Sequence, residues 1–125
     1  MRYEQYLKLI EEKKDLFCGI ADALWENPEL SFHEYEAAKR ITGVLEQEGF
    51  TVKRGVAGMP TSFVATYGSG SPRLGILAEY DALSGMSQVG CIAEKKSIPG
   101  LDAGHGCGHN LFAAGSVAAA FAVKA

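Results

Sequence analysis

The sequence predicts a layered α/β fold. Three observations carry that reading. Apolar residues recur at spacings of three and four through the first half, which is the period of a helix. Short β-rich stretches bounded by glycine, serine and proline follow, which is strand and turn chemistry. A final run, Leu111 to Ala125, is apolar nearly all round and reads as a buried helix. Helix, helix, strands, loop, helix is the element order of an α/β layered architecture.

The elements follow in order. Tyr6, Ile10, Lys13, Phe17, Ile20 and Leu24 predict one long amphipathic helix over Arg2 to Glu26, with Glu11, Lys14 and Asp15 on its wet side. Asn27-Pro28 ends it, because proline disfavours helix in the residue before it. Ser31 and Glu34 have the spacing of a capping box. They predict a second helix from Phe32 to Glu48 that Gly49 stops, with Glu34, Glu36, Lys39 and Arg40 on its solvated face. Phe50 to Lys53 alternates as a short strand, Gly55 to Pro60 is a loop, and Thr61 to Tyr67 is a second strand. Arg73 to Ala78 is a compact apolar run suited to a strand buried on both faces. Tyr80 to Leu101 is a long loop rich in glycine and serine, and loops of that length in a compact domain tend to be functional or mobile. Cys18 falls on the predicted apolar face of the first helix. Trp25, Phe17 and Phe121 read as core.

Composition narrows the function. At 125 residues the chain is one domain or part of one. The formal net charge is -3 and no basic stripe is visible, so nucleic acid is not an expected partner. The three cysteines form no disulfide-like framework, and the charged Met1 to Lys14 does not read as a signal peptide. Both point to the cytoplasm. The C-terminal apolar run is about 15 residues, short of the roughly 20 that a membrane span needs.

The densest chemistry is the loop Gly104-His105-Gly106-Cys107-Gly108-His109-Asn110. Glycine removes the Cβ restriction on backbone angles, so such a loop can bring alternate side chains to one point. Cys107 and His109 are both ligands suited to a borderline-soft divalent metal such as zinc. Cys107 has two other readings, a nucleophile paired with His105 or His109, and an inert thiol. Upstream, Glu79 and Asp81 stand two apart where the strand Arg73 to Ala78 leaves the sheet, so their side chains share a side. They are either a solvated strand end, or carboxylates that ligate a metal or orient a ligand histidine. Asn110 reads as a helix cap, and His33 as a surface residue.

These residues carry a resemblance. Leu77-Ala78-Glu79-Tyr80-Asp81-Ala82-Leu83-Ser84-Gly85, followed by Gly104 to Asn110, resembles the metal-dependent amidohydrolases of the aminoacylase and indoleacetyl-amino-acid hydrolase family. Within it, the Gly-His-Gly-Cys-Gly-His-Asn form is similar to the aminobenzoyl-glutamate utilisation subgroup. Trp25 to Ser31 and Glu34 look like the family's opening helix-turn-helix. The resemblance implies a layered α/β/α sheet, with residues 1–125 forming the N-terminal part of a zinc-exopeptidase-like catalytic domain. It implies a hydrolase with two divalent ions, zinc or manganese, that cleaves the amide of an N-acyl or N-aroyl amino acid. It makes Cys107 and His109 metal ligands and Asp81 a supporting aspartate. Glu79 falls where distant relatives place a ligand histidine, His105 lies near the metal, and Asn110 neighbours the site.

The resemblance also implies parts that this sequence lacks: a Glu-Glu pair with the general base, further histidine ligands, and a lid and dimerisation domain. The expectation is therefore an inactive fragment with weak or absent metal binding. The alternatives are a stand-alone non-catalytic binding or assembly module, and a structural zinc protein completed by a partner. In the full family later strands and helices would cover the C-terminal helix; in a free-standing chain a second copy or another protein is expected to cover it.

Overall fold

The computed structural model describes residues 3–125. In chain order its elements are α1 (Tyr3–Glu12), α2 (Lys14–Glu26), α3 (Tyr35–Gln47), β1 (Thr51–Arg54), a 3-10 turn (Val56–Gly58), β2 (Phe63–Thr66) and α4 (His109–Lys124). The chain is α/β, as its sequence predicts. β1 and β2 form an antiparallel hairpin with Thr51 opposite Thr66 and Arg54 opposite Phe63. α3 packs on that hairpin, while α4 packs on α2 and α1.

The first predicted helix is two helices. Its expected start at Arg2 lies outside the described residues. Lys13 separates α1 from α2 with φ −107° and ψ 13°. Its ammonium reaches the Glu48 carboxylate at 3.0 Å and lies over the Phe121 ring, 5.3 Å from the centroid. The break lets both helices wrap α4, a packing demand that periodicity does not reveal. α2 ends at Glu26, just before Asn27-Pro28, as the proline requires.

α3 begins at Tyr35, three residues later than the capping-box reading places it. Ser31 does not cap it; its hydroxyl donates to Asp81 instead. The carboxylate of Glu29 accepts from the backbone N–H groups of Glu36 (3.0 Å) and Ala37 (2.8 Å), satisfying donors that a helix start leaves free. Phe32 adopts φ +67°, and this turn delays the helix. Glu34, expected on the solvated face, is buried at the helix entrance as a result. Gly49, with φ +91°, follows the end of α3.

The core joins α2, α3 and α4 through Phe17, Ile20, Leu24, Ile41, Leu45, Val117 and Phe121. Phe121 meets Phe17 edge-on at 5.4 Å and stacks on Phe50 at 6.2 Å. The buried face of α2 is Phe17, Ile20, Ala21 and Leu24, at helical spacing. Cys18 lies one step round the helix from Phe17 and is exposed, not on the apolar face. Trp25, expected in the core, lies partly exposed near Gly90.

Arg73 to Ala78 departs most from expectation. It forms no strand, and Leu74 and Leu77 are 74% and 75% exposed. A strand exists only where a neighbouring backbone completes its hydrogen bonds. Among the described residues no backbone ladder reaches this segment; only the Ser116 hydroxyl donates to the Leu77 carbonyl, at 2.9 Å. The long loop after it is as expected. No helix among the described residues is long and apolar enough to cross a membrane.

Candidate metal centre

Two isolated bridges build the site from an otherwise irregular chain: Leu30 with Ala82, parallel, and Leu83 with Gly104, antiparallel. The first sets Asp81 beside Ser31. The second sets the glycine-rich loop beside the segment that carries Glu79 and Asp81. Gly108, at φ +80°, then turns the chain into α4, with its N–H bonded to the His105 carbonyl at 3.1 Å. A left-handed residue is needed at this turn, and glycine takes that conformation without a Cβ penalty. His109 is the first residue of α4 and faces the two carboxylates.

The His109 ring is engaged at both nitrogens. Nδ1 lies 2.7 Å from Asp81 Oδ1, and Nε2 lies 3.1 Å from Glu79 Oε2. Asp81 also accepts from the Ser31 hydroxyl at 2.6 Å. Burial works to raise the Asp81 pKa, but the bonds from Ser31 and His109 outweigh it and hold the carboxyl below its ordinary range. With Asp81 as the ionised acceptor, a proton is assigned to the ring nitrogen that faces it, Nδ1. In the neutral ring Nε2 then presents a lone pair, toward another carboxylate. Two acceptors at 3.1 Å repel unless a proton or a cation lies between them.

The donor set suits a cation. One oxygen each from Glu79 and Asp81 and one nitrogen from His109 lie within 4.8 Å of one another. Imidazole with carboxylate is a common donor pair for zinc, and carboxylate oxygen suits manganese. The side chains are graded in exposure, 17% for His109, 22% for Asp81 and 53% for Glu79, so one side of the cluster is open to solvent. The residues present therefore fit a divalent ion.

Tyr80 helps hold this arrangement. Its hydroxyl donates to the Thr61 carbonyl and its ring stacks on Phe63, which anchors the segment to the β1–β2 hairpin. Burial, with Glu34 and Glu29 nearby, pushes its pKa up to about 12, so the phenol stays protonated.

No family model matches the chain. It is 44% identical over 115 residues to a subunit of the p-aminobenzoyl-glutamate hydrolase of Escherichia coli (strain K12), an alignment covering 92% of this chain and 24% of that protein. It is 32% identical over 128 residues to Xaa-Arg dipeptidase of Homo sapiens, covering 92% and 26%. It is 35% identical over 97 residues to IAA-amino acid hydrolase ILR1-like 4 of Arabidopsis thaliana, covering 77% and 21%. The chain belongs to the metal-dependent amidohydrolase family. It spans about a quarter of the length of the curated relatives it matches. The four α-helices and two-stranded sheet of the described residues are consistent with the N-terminal part of a peptidase-like domain.

The remaining candidate residues fall in different places around this family's loop. Cys107 is exposed and stands outside the cluster of Glu79, Asp81 and His109. His105 is buried, and neither ring nitrogen has a hydrogen bond of ordinary geometry. Burial pushes its pKa below the usual imidazole value. Asn110 does not cap α4. It is buried, and its side-chain amide donates to the Ala21 carbonyl at 3.1 Å, tying α4 to α2. His33 is exposed, as expected. Sequence reasoning missed Ser31, whose hydroxyl holds Asp81 from 50 positions away. Its only visible signal was a capping pattern, which pointed elsewhere.

Proposed function

We propose that these residues form the first part of the catalytic domain of a hydrolase that cleaves the amide of an N-acyl or N-aroyl amino acid, of the aminobenzoyl-glutamate kind. The observation that carries the reading is the His109 ring, fixed by Asp81 at one nitrogen and turned toward Glu79 at the other. The 44% identity to a subunit of an enzyme named for hydrolysis of p-aminobenzoyl-glutamate supports the substrate class.

In this reading His109 holds a divalent ion, zinc or manganese; Cys107 stands outside the cluster of Glu79, Asp81 and His109, and only the family resemblance assigns it to the ion. Asp81 orients His109, and Glu79 is the carboxylate that faces the ion. An ion held there supplies Lewis acidity: it polarises the amide carbonyl and makes water a better nucleophile near neutral pH. The chain's own contribution is to fix the imidazole tautomer and to keep Asp81 charged. Because these residues match about a quarter of their relatives' length, the general base, a second ion's ligands, and the lid and dimerisation domain are assigned to parts outside residues 1–125. Leu111, Phe112 and Val123 are exposed on α4, which supports a second copy or partner chain covering that helix. Three free, exposed thiols support a reducing compartment such as the cytoplasm.

Titration of the chain with zinc and manganese tests the reading. We expect weak binding that His109→Ala abolishes and Cys107→Ala weakens, and no hydrolysis of p-aminobenzoyl-glutamate by the chain alone. Metal binding unchanged in His109→Ala would overturn the site assignment. A measurable hydrolysis rate with the pure chain would overturn the division of the catalytic machinery.

A further inference from the structure

The Asp81–His109 contact spans 28 positions of mostly irregular chain, yet the two atoms meet at 2.7 Å. Helix and sheet do not explain this, since the segment between them contains neither. What closes it is a clasp of two short pieces, Leu83 to Ser87 and Asp102 to Gly106. Leu83 and Gly104 exchange backbone hydrogen bonds at 2.9 and 3.0 Å, and the Ser87 N–H donates to the Asp102 carbonyl at 3.0 Å. The Asp102 carboxylate then grips the turn. Its Oδ2 accepts from the Ser84 hydroxyl at 2.7 Å and from the Gly85 N–H at 3.0 Å.

Packing at the clasp is close, against backbone at Gly104 and against the Met86 side chain at Gly106. A Cβ added at Gly104 would stand 2.0 Å from the Met86 carbonyl oxygen, and one at Gly106 would stand 2.9 Å from the Met86 sulfur. The turn thus lies directly against the stretch that leads into the Cys107–His109 loop.

We propose that Asp102 is a positioning residue for the candidate metal centre, acting through the Ser84–Gly85 turn to set His109 against Asp81. Leu83 stands two positions after Asp81, and Gly104 five before His109. With the clasp shut, the circuit between the two side chains is about eight residues rather than 28. Chain statistics make that closure roughly sixfold more probable. The bonds from Ser84 and Gly85 also hold the Asp102 carboxyl below its ordinary range, so the clasp is formed with a charged acceptor. The proposal rests on the metal reading only for its effect on affinity. The geometry of the metal-free ring tests it separately.

The experiment records long-range proton–nitrogen correlations of the histidine rings in metal-free, nitrogen-15-labelled chain. Backbone spectra serve as the folding control, and cadmium titration as the second readout. In the parent chain Nδ1 of His109 is expected to carry a proton held by Asp81, whatever the state of Nε2. In Asp102→Ala the backbone spectrum is expected to persist outside residues 83–109, the His109 ring to become a tautomer mixture, and cadmium to bind roughly sixfold more weakly. Asp102→Asn keeps an acceptor oxygen and is expected to restore most of the tautomer preference. If Asp102→Ala does not fold, Ser84→Ala, which removes one hydroxyl from an exposed turn, is judged by the same ring signals. A folded Asp102→Ala chain with unchanged His109 signals overturns the proposal, whatever the cadmium result. A parent chain that ignores cadmium while its variants still show the tautomer change overturns the metal reading and leaves Asp102 in its role.

Discussion

Asp81→Asn is the sharpest test of how the site is tuned. Asp81 accepts two hydrogen bonds, from Ser31 at 2.6 Å and from His109 Nδ1 at 2.7 Å. Hydrogen bonds to a charged group contribute about 1.5–3 kcal/mol, against about 1 kcal/mol for neutral pairs. The asparagine keeps a carbonyl oxygen for Nδ1 and turns its amide N–H groups toward Ser31, whose hydroxyl rotates to accept. Both contacts survive and only the charge is lost. The Nδ1-protonated tautomer then loses about 0.5–2 kcal/mol, a factor of roughly two to thirty in population. Removing a group that orients a ligand histidine commonly lowers metal affinity about 10- to 100-fold. We therefore expect about tenfold weaker zinc and manganese binding. Competition with a chromophoric chelator measures it, and a thermal melt confirms an intact fold. An Asp81→Asn chain that binds both metals as tightly as the parent would refute the reasoning, because Asp81 would then be a bystander to the ring.

Two further outcomes test the scaffold. Phe121→Ala removes the ring shared by α2, α4 and Phe50 and is expected to cost about 3–5 kcal/mol in chemical denaturation; a loss under about 1 kcal/mol would contradict its place in the core. Glu48 is held by Lys13 at 3.0 Å and Lys124 at 3.2 Å; burial opposes ionisation, but the two ammonium groups win and lower its pKa. A carboxyl with a depressed folded pKa contributes stability above its unfolded value, near 4.5, and loses it as pH falls through the lower folded value. The stability gap between the parent and Glu48→Gln, no more than about 1 kcal/mol, should be flat above pH 4.5 and close below it. A gap that widens on acidification would reverse the sign and dismiss the ion pairs.

What the sequence made legible was local. Helical spacing found the buried face of α2 through Phe17, Ile20 and Leu24, and Pro28 and Gly49 marked where helices end. The glycine-histidine-cysteine loop announced its chemistry by composition alone. What stayed hidden depended on partners distant in the chain. The break at Lys13 answers Glu48 and Phe121, which lie far along the sequence. Ser31 looked like a cap because caps and acid-holding hydroxyls use the same side chain. Arg73 to Ala78 read as a strand because apolar, β-rich composition describes a side-chain environment. The backbone neighbour that makes a strand is a separate requirement.

The opening helix-turn-helix and the metal-facing segment are one device. Glu29 caps α3 with its carboxylate, and its backbone carbonyl accepts from the Ala82 N–H at 2.7 Å. Two residues on, Ser31 holds Asp81. A stretch of three residues thus fixes both where α3 starts and where Asp81 points. Asp81 in turn decides which nitrogen of His109 carries the proton. The start of α3 and the tautomer of His109 are therefore linked through Glu29 and Ser31: α3 cannot shift its start without moving the carboxylate that sets the imidazole. Phe32, between Ser31 and the start of α3, takes a left-handed turn that a bulky side chain disfavours. The turn between Glu29 and α3 is shaped by the site it supports, and the helix starts where that shape allows.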